Sequence, residues 1–261
     1  MPVHDEIGAR MKEYEAVSKT TLIKRMPVVM RIDGKSFHTF TRGFKKPFDR
    51  VLAETMQLTM HELCRSIQGA VLGYTQSDEI TIVLVDYKKL NSQPWFGNEV
   101  QKMCSIGASM ATRIFNNVFR NIVEDLSETG DTSYPIDVYK GRFGEAQFDC
   151  RVFNIPREEV TNNLFWRQID ARRNSIEMLG RAYFSNRELF KKNCSDIKEM
   201  LLQKGVDWEE LPTYLKYGSC AVKRADTSTC RDKWIIDKCI PLFVGDDREY
   251  VDRLIFIEGD V

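Results

Sequence analysis

The sequence predicts an α+β fold of the ferredoxin-like type, followed by a mainly helical C-terminal region. Three observations predict it. Short strand-forming runs occur at 27–33, 70–75 and 80–85, the last two joined by a tight turn. Apolar residues at helical spacing fill the segments between and after them. A further strand-like run at 147–155 supplies the fourth strand that a split β-α-β unit needs.

Residues 5–19 read as a polar helix. In 27–33, Val28, Met30 and Ile32 share one face, while Val29, Arg31 and Asp33 share the other. Gly34 breaks this strand, and a basic loop runs to Lys46-Pro47. The segment 49–68 carries Leu52, Met56, Met60, Leu63 and Ile67 at helical spacing, and Gly69 stops it. Strand 70–75, the turn Gln76-Ser77-Asp78-Glu79 and strand 80–85 form a hairpin with Ile80, Ile82 and Leu84 on one face. A loop with Asn91, Pro94 and Gly97 leads to a helix over 98–121. Its apolar stripe runs from Val100 and Met103 to Phe115 and Val118.

The polar stretch 127–132 marks the expected boundary between a catalytic domain at 1–132 and a region at 133–261 that completes the fold. Beyond it we expect a strand at 147–155 ending at Pro156, and helices over 157–183 and 188–204. Strand-like pieces are expected at 218–223, 234–244 and 251–257. There are no repeats and no low-complexity tract.

The chain has 261 residues, 43% of them hydrophobic and 29% charged, with a formal net charge of zero. These values describe an ordinary globular protein and give no global field to attract a polyanion, so any such contact must use local patches. The seven cysteines are odd in number and none are spaced as CxxC. Reduced thiols in a cytoplasmic protein fit this spacing best, and a zinc site is not expected. The first 20 residues carry no signal peptide, and no apolar run approaches the roughly 18 residues of a membrane span.

The chemistry gathers at two strand ends. Asp33 precedes Gly34, and Asp78 sits in the hairpin turn; a helix between them returns the chain so that the two strands can be neighbours. Two carboxylates at adjacent strand ends form a site for Mg²⁺, with positions left for water and substrate phosphate. Gly34-Lys35-Ser36 is not a P-loop, because Val29 stands where that motif needs glycine, and no GxGxxG occurs. Lys35, Lys45, Lys46, His38 and Lys102 are candidate contacts for a triphosphate, Lys102 through its place at a helix start. Arg167, Arg172, Arg173 and Arg181 concentrate positive charge on one helix and could hold an RNA backbone. Phe165 and Trp166 beside them read as core residues.

These segments resemble the tRNA-His guanylyltransferases and their 3′-to-5′ polymerase relatives. The resemblance rests on Met30 to Phe40, on Lys46-Pro47, on Tyr74 to Glu79, on Phe148 to Val152 and on Phe165 to Ala171. It covers most of the chain to about residue 190, and the ordered set is highly specific. It implies a polymerase-type palm, an antiparallel sheet with helices on one face, usually in a homotetramer. It also implies two Mg²⁺ ions held by Asp33, the Gly34 carbonyl and Asp78, with Glu79 in the catalytic set. The nucleotide surface would comprise Asp33, Gly34, Lys35, Ser36, Phe37, His38, Lys46, Ser77, Asp78 and Lys102. Substrates would be ATP, GTP or other nucleoside triphosphates and a tRNA, the last contacted by the C-terminal region.

Two departures refine this expectation. The tRNA-His enzymes carry His-Ile-Asn-Asn-Leu-Tyr-Asn-Thr where this chain reads Ala171 to Met178, and Glu99 stands where the family often has a basic residue. The chain therefore looks more like the members that repair 5′-truncated tRNAs by templated addition. A dedicated tRNA-His guanylyltransferase is the alternative within the family. A catalytically silent RNA- or nucleotide-binding module is the alternative from another class, and a nucleotide cyclase is disfavoured by the match beyond residue 148.

Overall fold

The computed structural model describes residues 3–226 and 231–257. An exposed polar helix, α1 (Val3–Ala16), precedes strand β1 (Val28–Gly34). In β1 the side chains of Val28, Met30 and Ile32 are buried on one face. Short α2 (Phe37–Phe40) and longer α3 (Arg50–Ser66) follow. Asp49 starts α3 by accepting a hydrogen bond from the Leu52 amide at 2.9 Å. Gly69, at φ 83, then turns the chain into β2 (Ala70–Gln76), which pairs with β3 (Glu79–Leu84).

Helix α4 (Val100–Glu128) runs about two turns beyond the expected end because Ile122, Val123 and Leu126 continue its apolar stripe. After α5 (Ile136–Lys140) come β4 (Phe148–Asn154), α6 (Arg157–Tyr183), α7 (Asn186–Leu189) and α8 (Cys194–Gln203). The chain closes with α9 (Thr213–Tyr217), β5 (Ser219–Asp226), β6 (Arg231–Asp237) and α10 (Glu249–Ile255).

The six strands form one antiparallel sheet in the order β4-β1-β3-β2-β5-β6. Its first four strands with α3 and α4 make the expected ferredoxin-like unit, and both helices lie on the face that carries Met30, Ile32, Ile80 and Ile82. Met60, Leu63, Met103 and Phe115 are fully buried there. Each such side chain contributes about 1.5–3 kcal/mol of burial free energy. Helices α6 and α10 cover the opposite face, where Val160, Leu164, Val251 and Ile255 pack on Leu72, Tyr74 and Val83.

Three expectations for the C-terminal region are corrected. The helix expected at 188–204 is two helices, each started by its own capping box, Ser185 with Glu188 and Asn193 with Asp196. The strand expected at 234–244 lies earlier, at β6. The strand expected at 251–257 is α10: Val251, Leu254 and Ile255 share one helical side and enter the core against β2 and α6. The six described cysteines are unpaired, and Cys230 lies outside the described residues. No described helix is long and apolar enough to cross a membrane.

Candidate active site

The acidic strand ends meet at one edge of the sheet. Strands β1 and β3 pair so that Asp33 stands opposite Glu79, and the Gly34 amide donates to the Asp78 carbonyl at 3.0 Å. This bond ties the hairpin turn that carries Asp78 directly to the end of the strand that carries Asp33. Ser77 enters the turn in the left-handed region at φ 51, and its hydroxyl donates to Asp78 Oδ1 at 2.9 Å. On the other side of β1, Asp149 of β4 also stands opposite Asp33. Sequence reading missed Asp149; only the register of β4, which one sequence does not give, brings it here.

Electrostatics marks the pair as short of positive charge. Burial pushes the Asp78 carboxyl above its ordinary value of 3.8, and the Asp33 charge adds to this against the Ser77 hydroxyl and His38. A divalent cation relieves both effects. The donors, two carboxylates and a peptide carbonyl, are the hard oxygen ligands that Mg²⁺ takes. Among the described residues no three His, Cys, Asp or Glu side chains converge on a cation position. A cation at Asp33 and Asp78 would therefore fill its shell with water and phosphate oxygens.

The loop Gly34–Phe40 is held from below by an aromatic cluster. The Phe37 ring is buried and lies 4.9 Å from Phe40, 5.5 Å from Phe115 and 5.1 Å from Phe148, centroid to centroid. A Cβ at Gly34 would meet the Phe37 ring at 2.3 Å. The glycine is thus required by packing beneath the strand end, a reason not visible in the sequence. Phe37, expected on the nucleotide surface, gives its side chain to the core, so only its main chain can face a ligand.

The other expected residues divide by position. Lys35, Ser36 and His38 are exposed on the loop after Gly34, with Lys35 Nζ donating to Gln147 Oε1 at 3.0 Å. Lys46 is exposed just before α3. Lys102 is not brought to this site within the chain. The N-terminus of α4 packs near Leu22 and the start of β1, and Lys102 pairs with Glu99 at 3.4 Å. The five residues of strand between Val28 and Asp33 separate the two ends by about 17 Å.

Glu79, expected among the catalytic groups, is buried and engaged. Arg31 Nη2 lies 2.5 Å from one of its oxygens, and Arg167 Nε lies 2.8 Å from the other. Burial pushes its carboxyl up against the pull of Arg167 and Arg31. A carboxylate clasped by two guanidiniums is a positioning group, not one presented to substrate.

Arg167, expected on an RNA-facing surface, is 4% exposed and bridges Glu79 to Asp170, which it meets at 2.7 Å. Arg172, Arg173 and Arg181 are exposed on α6, but at about 100° per residue they do not form one stripe. Trp166, expected in the core, is 53% exposed, whereas Phe165 is partly buried against the α6 core.

Beside Ser77 a cleft of about 110 Å³ opens between α3, the end of β2, α6 and α9. Leu52, Met56 and Met178 give it apolar walls, and Gln76, Asn174 and Ser219 add polar groups.

A sequence profile described as tRNA(His) guanylyltransferase matches residues 8–156, more than half of the chain. The chain belongs to the tRNA(His) guanylyltransferase family. It resembles a bacterial tRNA(His) guanylyltransferase-like protein solved in complex with ATP, at 40% identity and a TM-score of 0.82, over 97% of this chain and 100% of that one. A structure of a bacterial protein of the same description in complex with GTP matches at 39% identity and a TM-score of 0.79, over 96% and 99%. An uncharacterised protein of Acanthamoeba polyphaga mimivirus is 29% identical over 227 residues, 83% of this chain and 76% of that one. Membership of the guanylyltransferase family makes the chain a nucleotidyltransferase, and the sheet edge described above lies within the matched segment.

Proposed function

We propose that this guanylyltransferase-family enzyme adds nucleotides to the 5′ end of tRNA in the 3′-to-5′ direction and repairs 5′-truncated tRNA against its own acceptor strand. The observation that carries the reading is the convergence of Asp33 and Asp78, locked by the Gly34–Asp78 backbone bond. The family profile and the bacterial relatives solved with ATP and GTP support nucleoside triphosphates as substrates.

Asp33, Asp78 and the Gly34 carbonyl would hold two Mg²⁺ ions, which when bound lower the pKa of an attacking hydroxyl and neutralise a leaving pyrophosphate. Lys35, Ser36, His38 and Lys46 line the approach and hold the triphosphate, joined by Ser77 and the main chain of Phe37. The cleft beside Ser77 takes a flat base between its apolar walls. In the first step the 5′-phosphate of the tRNA attacks the α-phosphorus of ATP and pyrophosphate leaves. In the second, the 3′-hydroxyl of the incoming nucleotide attacks the activated 5′ phosphorus, a phosphodiester forms and AMP leaves. Where the RNA already bears a 5′-triphosphate, the first step is omitted and pyrophosphate leaves in the second.

Residues 133–261 complete the sheet in this reading and contact tRNA through Arg172, Arg173 and Arg181. A homotetramer in the cytoplasm belongs to the same reading.

Extension of transcripts lacking their first nucleotide tests it. The expected product carries the base complementary to the acceptor partner, whatever the anticodon, and its formation requires Mg²⁺. Incorporation of all four nucleotides regardless of template rejects templated repair. The family's own description favours a second reading, addition of a guanylate to tRNA-His. Strict dependence on the histidine anticodon would establish that reading instead. Absence of Mg²⁺-dependent pyrophosphate release would leave a silent binding module.

A further inference from the structure

We infer that Trp166 is a stacking platform that seats the terminal base pair of the RNA at whose 5′ end the carboxylates act; the inference rests on the reading above and names the side chain that presents the RNA end. Trp166 is 53% exposed, yet its indole is held in place. The Arg167 guanidinium lies 4.3 Å from its ring centroid and that of Arg31 lies 5.8 Å away, and Glu79 anchors both arginines. An aromatic ring fixed in orientation and open to solvent offers a flat face on which a base can stack.

Its position relative to the carboxylates decides the partner. Arg31 is two residues before Asp33 on the same face of β1. Through Arg31 the indole lies over the same face of β1 as the proposed cation site. An RNA end stacked on the ring would present its 5′-phosphate on the face of the sheet that carries Asp33.

The flanking charges fit the same ligand. Arg151 stands directly opposite Arg31 across β1 and β4 and shares its face, with its side chain 57% exposed. Arg31 is held by Glu79, whereas Arg151 carries its charge out to solvent. Arg173, seven residues after Trp166, lies within about 20° of it around α6 and is 58% exposed. Asp149 and Asp170 pair with these two arginines at the surface, where such pairs exchange readily for phosphate. A stacked base flanked by phosphates is the chemistry this surface recognises.

The test uses the full-length protein, a 5′-phosphorylated RNA hairpin with a blunt stem, and the variants Trp166→Phe and Trp166→Ala. The hairpin alone should quench tryptophan emission in the native protein, and Trp166→Phe should remove that quench while keeping KM for RNA within about threefold. Trp166→Ala should raise KM for RNA about tenfold to a hundredfold and leave KM for the nucleoside triphosphate unchanged. An undiminished quench in Trp166→Phe overturns the platform. So does an unchanged KM for RNA in a folded Trp166→Ala protein whose mass in sedimentation has fallen, which would make Trp166 a subunit contact. If the native protein extends no RNA and yet loses its quench in Trp166→Phe, the platform stands and the repair reading fails.

Discussion

Arg167 Nε lies 2.8 Å from Glu79 Oε1, so a buried ion pair joins the centre of α6 to the first residue of the strand that leaves the Asp78 turn. Arg31 closes the link from the neighbouring strand. The turn that carries Asp78 is therefore braced by a largely buried charge network.

Removing one partner of that pair leaves a buried charge. Arg167→Met should cost about 3–5 kcal/mol in denaturant unfolding. The double variant Arg167→Met, Glu79→Gln, which also deprives Arg31 of its partner, should lose less than the sum of the two single losses, because each single variant already breaks the same pair. Losses that simply add would show that the pair is not coupled.

Asp33 and Asp78 contribute little to the core, being only partly buried at the sheet edge. Asp33→Asn or Asp78→Asn should therefore abolish nucleotide addition while the unfolding free energy stays within about 1 kcal/mol or rises slightly as like-charge repulsion is relieved. Turnover retained in either variant, measured as pyrophosphate release, contradicts the assignment.

Gly34 is pressed against Phe37. Gly34→Ala should cost about 1–3 kcal/mol of stability by overpacking, and Phe37→Leu should restore some of it. A fully stable Gly34→Ala protein would mean that the ring can move aside freely.

Tyr87 gives a pH signature remote from the site. Its hydroxyl is buried and donates to the Ile255 carbonyl at 3.0 Å. Burial pushes its pKa from 10.0 up to about 12, with Arg157 opposing. The folded state thus keeps its proton longer than the unfolded chain does. The contribution is fully present below pH 10 and is lost as pH rises from 10 towards 12. Unfolding curves of the native protein and Tyr87→Phe should converge over that window, and parallel curves would refute the shift.

Much of the palm was legible from local pattern alone. Val28, Met30 and Ile32 fix the buried face of β1, and Leu52 to Ile67 fix α3, because single-element periodicity carries those assignments. What failed depends on partners remote in sequence. Arg167 reads as a solvated charge because its partner Glu79 lies on a distant strand, and Trp166 reads as core because tertiary packing, not local pattern, decides which side of α6 faces solvent. Lys102 was misplaced because helix polarity says which end attracts an anion but not which end of the sheet that helix end meets. Helix α10 escapes sequence reading because Val251, Ile255 and Ile257 fit strand alternation while Val251, Leu254 and Ile255 fit helical spacing in the same short segment.

The most direct test of the account is a Mn²⁺ titration, read by electron paramagnetic resonance in the presence of GTP, on the native protein, Asp33→Asn, Asp78→Asn and the double variant. If the two carboxylates hold the cations jointly, each single variant should lose nearly as much affinity as the double. Losses that simply add, or binding unchanged in either single variant, would contradict it.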